Sequence, residues 1–332
     1  MRKFTATESL ECQEELIRFW SSDVGREFWR GWYQRREADN YPLQSTKGSS
    51  DERVNREIAV LMTADTYFIS AEMTMLALHA ARTMPDQNVI KTDLPSPAGF
   101  MVFEVPLVFP DIRGVPCSLA AMSWMCAHLN LEDGKEVFKT GVPAISITEY
   151  SDWFDERDEY LNSLRAGDDL KNFTFPTRLV LLSETCLMIG QPPMDIKRVA
   201  EKRGCSEDIV HENAIIAERF PIALWALLNQ RLPTVTDVAP ERHARKRLAR
   251  AQSVLATKRI RVVTLRLPEN RRVEISAPQH VEWSHRWIVS GHWRNAWYPS
   301  LNEHRLQWIW PYQKGPEDKP LVVKQTVRQL VR

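Results

Sequence analysis

Histidine, arginine and tryptophan side chains are concentrated in one short stretch near the end of the sequence. Residues 283–312, WSHRWIVSGHWRNAWYPSLNEHRLQWIWPY, hold six of the chain's twelve tryptophans and three of its eight histidines. Imidazole can act as an acid or a base near neutral pH, and guanidinium can neutralise phosphate oxygens. The indole ring can stack on a nucleobase or fill a hydrophobic core. These residue types therefore predict either contacts with a nucleic acid or a densely packed β-structure.

One chemistry that these side chains could perform is the cleavage of RNA. Cleavage through the 2′-hydroxyl needs a base, an acid and a cation that stabilises the charged phosphorane. Four side chains of the stretch have the required types, and they are the candidate catalytic residues: His292, Arg294, Arg286 and His304. With them the protein would be a metal-independent ribonuclease, for example a toxin or a phage-defence effector. Because their convergence depends on the fold, this enzyme is one alternative among several.

Electric charge is distributed unevenly along the chain. Residues 241–332 carry 19 Lys and Arg against 7 Asp and Glu, a net charge of +12, whereas residues 1–240 carry 25 basic and 36 acidic residues, a net charge of −11. A basic segment of this size favours a polyanion as partner. The main prediction is therefore a nucleic-acid-binding protein, for either RNA or DNA. The alternative is an interaction or regulatory module whose acidic region covers the basic one or binds a protein partner.

The basic segment supplies the candidate nucleic-acid contacts. The run ERHARKRLARAQSVLATKR at 241–259 predicts a polar helix that has little to bury and can lie along phosphates. Exposed aromatic rings in the later strands can stack on bases. The predicted contact residues are Arg242, Arg245, Lys246, Arg247, Arg250, Arg305, Trp308, Tyr312 and Lys314.

After this helix the hydrophobic period changes to two, which is typical of strands. The strand candidates are 260–267, 271–276, 285–294, 304–310 and 321–332. If the third of these is one regular strand, Trp287 and Trp293 share a face. His292 and Arg294 then share the opposite face, so most tryptophans are predicted to be core and a polar basic face is left. A bulge at Gly291 would shift this register.

The first 240 residues predict helices combined with a mixed sheet. Apolar residues recur at helical spacing near the start and again before residue 85, and β-branched or aromatic runs follow. Helices are predicted over 5–39, over most of 53–84 and, as a long apolar helix, within 173–194. Strands are predicted at 100–109 and 141–150. Two segments are left open: 67–70 is a strand or a break in the helix, and 117–129 is a strand or a helix.

The predicted fold class is α+β, and 332 residues leave room for more than one domain. Three parts are expected. They are an acidic helical and mixed α/β region at 1–240, a basic linker helix at 241–259 and a small, mainly antiparallel β module at 260–332.

Two further motifs have both a functional and a structural explanation. The segment DIKRVAEKRGCSEDIV, 195–210, resembles a helix-turn-helix in which Gly204 ends the first helix and Ser206 caps the second, although pairs of short helices are also common without DNA. The acidic run at 152–159 has the carboxylates that a metal or an acid–base pair requires. Adjacent residues of a helix splay around its axis, however, and such a run is expected to be a solvated face.

Familiar motifs of nucleotide-dependent and hydrolytic enzymes are missing from the sequence. It contains no GxxxxGK[ST], no GxGxxG, no HExxH and no GxSxG. The five cysteines are scattered without a CxxC pair, which predicts reduced thiols. No metal site and no cofactor are predicted. The chain has neither a membrane-spanning apolar run nor an apolar signal segment, so we expect a cytoplasmic protein without a membrane partner, either alone or as a homo-oligomer.

One part of the chain resembles a known group of proteins. The run SHRWIVSGHWRNAWYPSLNEHRLQWIWPYQKGPEDKPLVVK resembles the C-terminal segment of uncharacterised actinobacterial and actinophage proteins that carry the pattern RGHWR…HR…W…KGP. This chain has Ser290 where the pattern has the first arginine. The resemblance covers about fifty to ninety residues. It implies a bacterial or phage source and no particular activity.

Overall fold

The computed structural model describes most of the chain, with several gaps. The described residues are 3–38, 50–86, 94–111, 113–129, 132–133, 136–137, 142–166, 175–190, 195–230, 233–265, 286–299 and 302–316. The strands predicted at 271–276 and 321–332 lie outside these residues. No helix within the described ranges combines the length and the apolarity that a membrane crossing requires.

Nine α-helices lie within the described residues. They are α1 Ala6–Ser21, α2 Asp23–Ala38, α3 Ser50–Thr63, α4 Ala71–Thr83, α5 Glu159–Ala166, α6 Ile196–Arg203, α7 Glu207–Ala214, α8 Phe220–Leu228 and α9 Arg242–Arg250. A π-helical turn at 215–219 joins α7 to α8, and a 3₁₀ turn at 254–257 follows α9. The start of α1 is a capping box, in which Thr5 and Glu8 each accept a backbone hydrogen bond from the other.

A seven-stranded mixed sheet forms the centre of the fold. Its strands are β1 Asp65–Ile69, β2 Ala98–Pro110, β3 Pro116–Leu129, β6 Val142–Asp152, β7 Leu179–Met188, β8 Pro233–Val238 and β9 Ile260–Leu265. Their order across the sheet is β7-β6-β3-β2-β1-β9-β8. The shorter strands are β4 Glu132–Asp133, β5 Glu136–Val137, β10 Trp287–Val289, β11 His292–Tyr298, β12 Glu303–Ile309 and β13 Tyr312–Lys314. Strand β1 runs parallel to both neighbours, β2 and β9, and the other neighbouring strands of the large sheet are antiparallel.

The large sheet has a hydrophobic core on each face. Successive residues of β1 alternate between the cores: Tyr67 and Ile69 pack on one side, with helices α4 and α8, and Phe68 packs on the other, with α1 and α3. This alternation follows from the two-residue period of a strand. The helices therefore cover both faces of the sheet, and the α+β prediction is confirmed.

One predicted helix is a strand. The apolar run within 173–194 forms β7, in which Leu179 to Leu182 are all buried. A continuous apolar run fits a buried helix and a strand buried on both faces equally well, so periodicity could not separate them. The ambiguous segment 117–129 is likewise a strand, β3.

The predicted boundary between the linker helix and a separate C-terminal module is also wrong in part. Strand β9, which begins at Ile260, pairs with β1 inside the large sheet, and β8 pairs with β9 at its edge. Residues 233–265 therefore belong to the main sheet. The small antiparallel strand pairs begin only within the described residues after 285: β10 with β13, and β11 with β12.

Candidate nucleic-acid interface

Helix α9 is held against the body of the protein by two apolar side chains. Ala244 and Leu248 lie one turn apart and are both buried, and Leu248 belongs to the core beneath α1. Arg247 forms an ion pair with Glu11 of α1. The expectation that this helix has little to bury is therefore wrong for one of its faces. This anchoring fixes the direction of the remaining side chains of α9.

The opposite face of α9 presents three cations in a row. Arg242, Lys246 and Arg250 are exposed and follow one another at intervals of four residues, so they lie almost on one line with a rise of about 6 Å between them. Arg245 is exposed at the side of this row. None of the four forms an ion pair with a carboxylate in the described part of the chain. A cationic surface without counter-charges favours an anionic partner.

The tryptophans of the C-terminal stretch are divided between core and surface. Strands β11 and β12 form an antiparallel ribbon in which Trp293 lies opposite Trp308, and Trp297 opposite His304. Trp308 is 2% exposed, and its ring lies 5.3 Å from that of Trp293 and 5.8 Å from that of His79 on α4. Trp308 is therefore a core residue, and its prediction as a nucleic-acid contact is wrong.

Gly291 separates two strands where a single one was predicted. Strand β10 ends at Val289 and β11 begins at His292, and the two pair with different partners. A Cβ at Gly291 would lie 2.5 Å from a ring carbon of Trp308. The close approach of this indole therefore requires glycine. The packing of Trp308 therefore gives a structural reason for the glycine at this position.

The predicted catalytic side chains do not converge. His292 and Arg294 share one face of β11, where Arg294 Nη2 donates to Gln307 Oε1 at 2.8 Å. His304 lies on the opposite face of the ribbon, and its ring centroid is 5.0 Å from that of Trp297. Two imidazoles on opposite faces cannot serve one phosphate as base and acid. The described geometry therefore does not form the ribonuclease site that the residue types suggested.

The other predicted contacts of the strand pairs are half-buried. Arg305 Nε donates to Glu303 Oε1 at 2.5 Å, so its charge is already paired. Tyr312 and Lys314 lie in β13, and the candidate catalytic residue Arg286 lies just before β10, the strand that pairs with β13. Among the predicted contact residues, those of α9 are therefore the most exposed.

The segment that resembles a helix-turn-helix does form two short helices. Gly204 ends α6 in the left-handed conformation, with φ of 64°, and the Ser206 side chain caps α7. Helix α7 continues through the π-helical turn into the buried helix α8. On α6, Lys197, Arg198 and Lys202 are exposed. This unit is a second basic surface, distinct in sequence from α9.

The acidic run at 152–159 is not simply a solvated face, because its aspartates hold the fold together. Asp152 accepts from Arg178 Nη2 at 2.8 Å, and Asp158 accepts from the backbone N–H of Ser118 at 2.8 Å. Both aspartates are buried. Within the described ranges, no three His, Cys, Asp or Glu side chains are grouped so as to hold a metal ion. The contacts of these aspartates are structural.

A buried polar network lies between α3 and the sheet, and sequence reasoning missed it. The buried carboxylate of Glu57 accepts hydroxyl hydrogen bonds from Ser123 at 2.6 Å, Thr148 at 2.9 Å and Tyr150 at 2.5 Å. Burial raises the pKa of Glu57, and the three hydroxyl bonds oppose that shift. Ser123 lies in the mostly apolar strand β3, but Thr148 lies in β6 among other polar residues, so the sequence pattern does not single out this network.

A narrow pocket adjoins this network. Its lining includes Arg53, Arg56 and Glu184, and it encloses about the space of one water molecule. Arg53 Nη1 lies 3.7 Å from Glu184 Oε2, near the limit of an ion pair. Burial is the stronger influence and raises the pKa of Glu184 to about 8. The pocket is too small for a nucleotide. We therefore assign Arg53, Arg56 and Glu184 a structural role in the fold.

The raised pKa of Glu184 predicts a pH-dependent stability. An unfolded glutamate has a pKa of about 4.3, so between about pH 4.3 and pH 8 the folded state holds a proton that the unfolded state has lost. The contribution of Glu184 to the free energy of unfolding therefore falls as pH rises through this interval. Glu184→Gln stays neutral and avoids this loss. We expect the unfolding temperature of the variant, measured by circular dichroism and taken relative to that of the wild type, to increase from pH 5 to pH 8.

The matched control for this measurement is Glu201→Gln, at an exposed position of α6. Its unfolding temperature should keep a constant difference from the wild type across the same pH range. A constant difference for Glu184→Gln as well would contradict the assigned ionisation.

Comparisons with known proteins establish no family. No family model matches the chain, and no curated protein matches it. Among solved structures, the chain is similar to the protein of the "Crystal structure of AcrVA2", with a TM-score of 0.39 and 16% sequence identity. The similarity covers 92% of this chain and 93% of that chain.

Proposed function

We propose that the protein binds nucleic acid, and that the exposed face of helix α9 contacts the phosphates. The observation that carries this proposal is the row of Arg242, Lys246 and Arg250 on a helix whose other face is buried at Leu248. Because the helix is already folded and packed, only the side chains, and not the backbone, must be ordered when these cations meet phosphates. Such contacts release counterions and supply sequence-independent affinity.

The acidic N-terminal region leaves most of this surface uncovered. The N-terminal region contacts α9 through the ion pair between Glu11 and Arg247. Arg247 lies beside the row of Arg242, Lys246 and Arg250 and is not part of it. Within the described residues, the regulatory alternative, in which the acidic region hides the basic one, has support in two ion pairs, Arg247 with Glu11 and Arg261 with Asp65, and neither involves the row on α9. Its simplest test, removal of residues 1–240, would also remove β1, the strand to which β9 is hydrogen-bonded. Single substitutions in the full chain are the appropriate tools.

The dependence of binding on salt tests the proposal directly. Fluorescence anisotropy of the full chain with labelled duplex DNA and labelled single-stranded RNA would give Kd over a salt series. If three phosphates are contacted, we expect the logarithm of the binding constant to fall with the logarithm of salt concentration with a slope of about −3 for duplex DNA and about −2 for a single strand. Absence of binding at low salt, or binding that salt does not weaken, would overturn the proposal.

A further inference from the structure

Trp297 is the exposed end of an aromatic row that is otherwise packed into the protein. Trp293 and Trp297 lie four residues apart on β11 and therefore on the same face of the ribbon. At the first position the indole is anchored, because Trp293 Nε1 donates to the carbonyl of Ala80 on α4 at 2.8 Å. The second position lies near the end of β11, and there Trp297 is 49% exposed.

A second ring lies beside this indole. His304 is directly opposite Trp297 across the strand pair, with ring centroids 5.0 Å apart and planes at 58°. Both side chains are exposed. Exposed aromatic rings of this kind add little to folding, whereas they offer flat π surfaces to an unpaired base.

The net charge of the segment that carries these rings favours a nucleic acid as the occupant. The ribbon lies in the segment of the chain that carries a net charge of +12. Arg294, on the other face of the same strand, is exposed and hydrogen-bonded only to a neutral amide among the contacts described for it. Proteins hold single strands by stacking the bases on aromatic rings while cations elsewhere in the same part of the protein attract the backbone. A duplex keeps its bases stacked inside and cannot use the rings.

We infer that Trp297 and His304 form a base-stacking platform that makes the protein prefer single-stranded nucleic acid over duplex. This inference rests on the proposed function, in which α9 attracts phosphates of either form. The platform adds an interaction that depends on unpaired bases and not on charge.

Replacement of the indole tests the inference. Trp297→Ala in the full chain should weaken binding of an oligothymidylate roughly 5- to 150-fold, which corresponds to about 1–3 kcal/mol for one stacked base. Binding of a duplex of equal length should be unchanged. Trp297→Phe should restore part of the loss, because a smaller aromatic ring still stacks. The matched control is Phe154→Ala, at an exposed aromatic position outside the ribbon, which should bind both probes as the wild type does.

An abasic strand of the same length separates stacking from charge. The wild type should bind the oligothymidylate more tightly than the abasic strand, and Trp297→Ala should bind the two alike. If the wild type binds nucleic acid with the expected salt dependence but Trp297→Ala keeps its full affinity for the single strand, the platform is wrong and the proposed function stands. Equal losses on single strand and duplex would also overturn the platform. If the wild type binds neither probe, the proposed function fails first.

Discussion

Replacement of Arg242, Lys246 and Arg250 by glutamine is expected to weaken binding of duplex DNA by about two to three orders of magnitude near 0.1 M salt. Each lost phosphate contact removes about 0.9 from the salt slope, so the triple variant should bind with a slope about 2.7 units shallower. All three side chains are exposed, and none forms an ion pair within the described residues. The fold should therefore tolerate their neutralisation, and anisotropy over a salt series measures both quantities.

The control for this variant lies on the other exposed basic helix. Glutamine at Lys197, Arg198 and Lys202 removes the same number of charges from α6. If α9 is the interface, this second triple variant should bind nearly as the wild type does, because only the long-range electrostatic attraction between protein and nucleic acid is reduced. The reverse result, a loss for the α6 variant and none for α9, would contradict the proposed interface and favour the helix-turn-helix interpretation of α6 and α7.

The period of hydrophobic residues predicted much of the fold because many elements have one buried face. Helices α1 and α2 and the strands around Phe100 and Ile147 lie where the pattern placed them, and the segment at Tyr67, for which the pattern allowed a strand or a break, is strand β1. Prediction failed where both faces are buried, as in β7, because a continuous apolar run has no period to interpret. The strand predicted at 260–267 is confirmed as β9, but its place in the large sheet was not predicted, since nothing local shows that it pairs with a strand nearly two hundred positions earlier.

The candidate interface was predictable in its charge and not in its geometry. Arg242 and its neighbours are visible as a basic run, and their exposure follows from the burial of Leu248 on the other face. The sequence predicts Trp308 as a contact, whereas the structure buries it beside His79 of α4 and leaves Trp297 exposed. Tertiary packing decides between two tryptophans of equal local pattern.

The second large effect is expected on stability, at Glu57. Replacement by alanine removes the common acceptor of Ser123, Thr148 and Tyr150 and leaves three buried hydroxyl groups without it. Each unsatisfied buried donor costs about 1–3 kcal/mol, and the lost side chain leaves a cavity as well. We therefore expect Glu57→Ala to lower the free energy of unfolding by at least about 3 kcal/mol. Urea denaturation followed by tryptophan fluorescence would measure this change.

Two further variants serve as comparisons for Glu57→Ala in this measurement. Glu57→Gln keeps the length of the side chain and one acceptor oxygen, so its loss of stability should be smaller than that of the alanine variant. Glu201→Ala removes an exposed carboxylate from α6 and should change stability by less than about 0.5 kcal/mol. If Glu57→Ala were as mild as Glu201→Ala, the hydroxyls would have to find other acceptors, either one another or water that enters by the adjoining pocket. The network would then be replaceable, and the position of α3 over the sheet would depend on its apolar contacts, such as those of Val54 and Leu61.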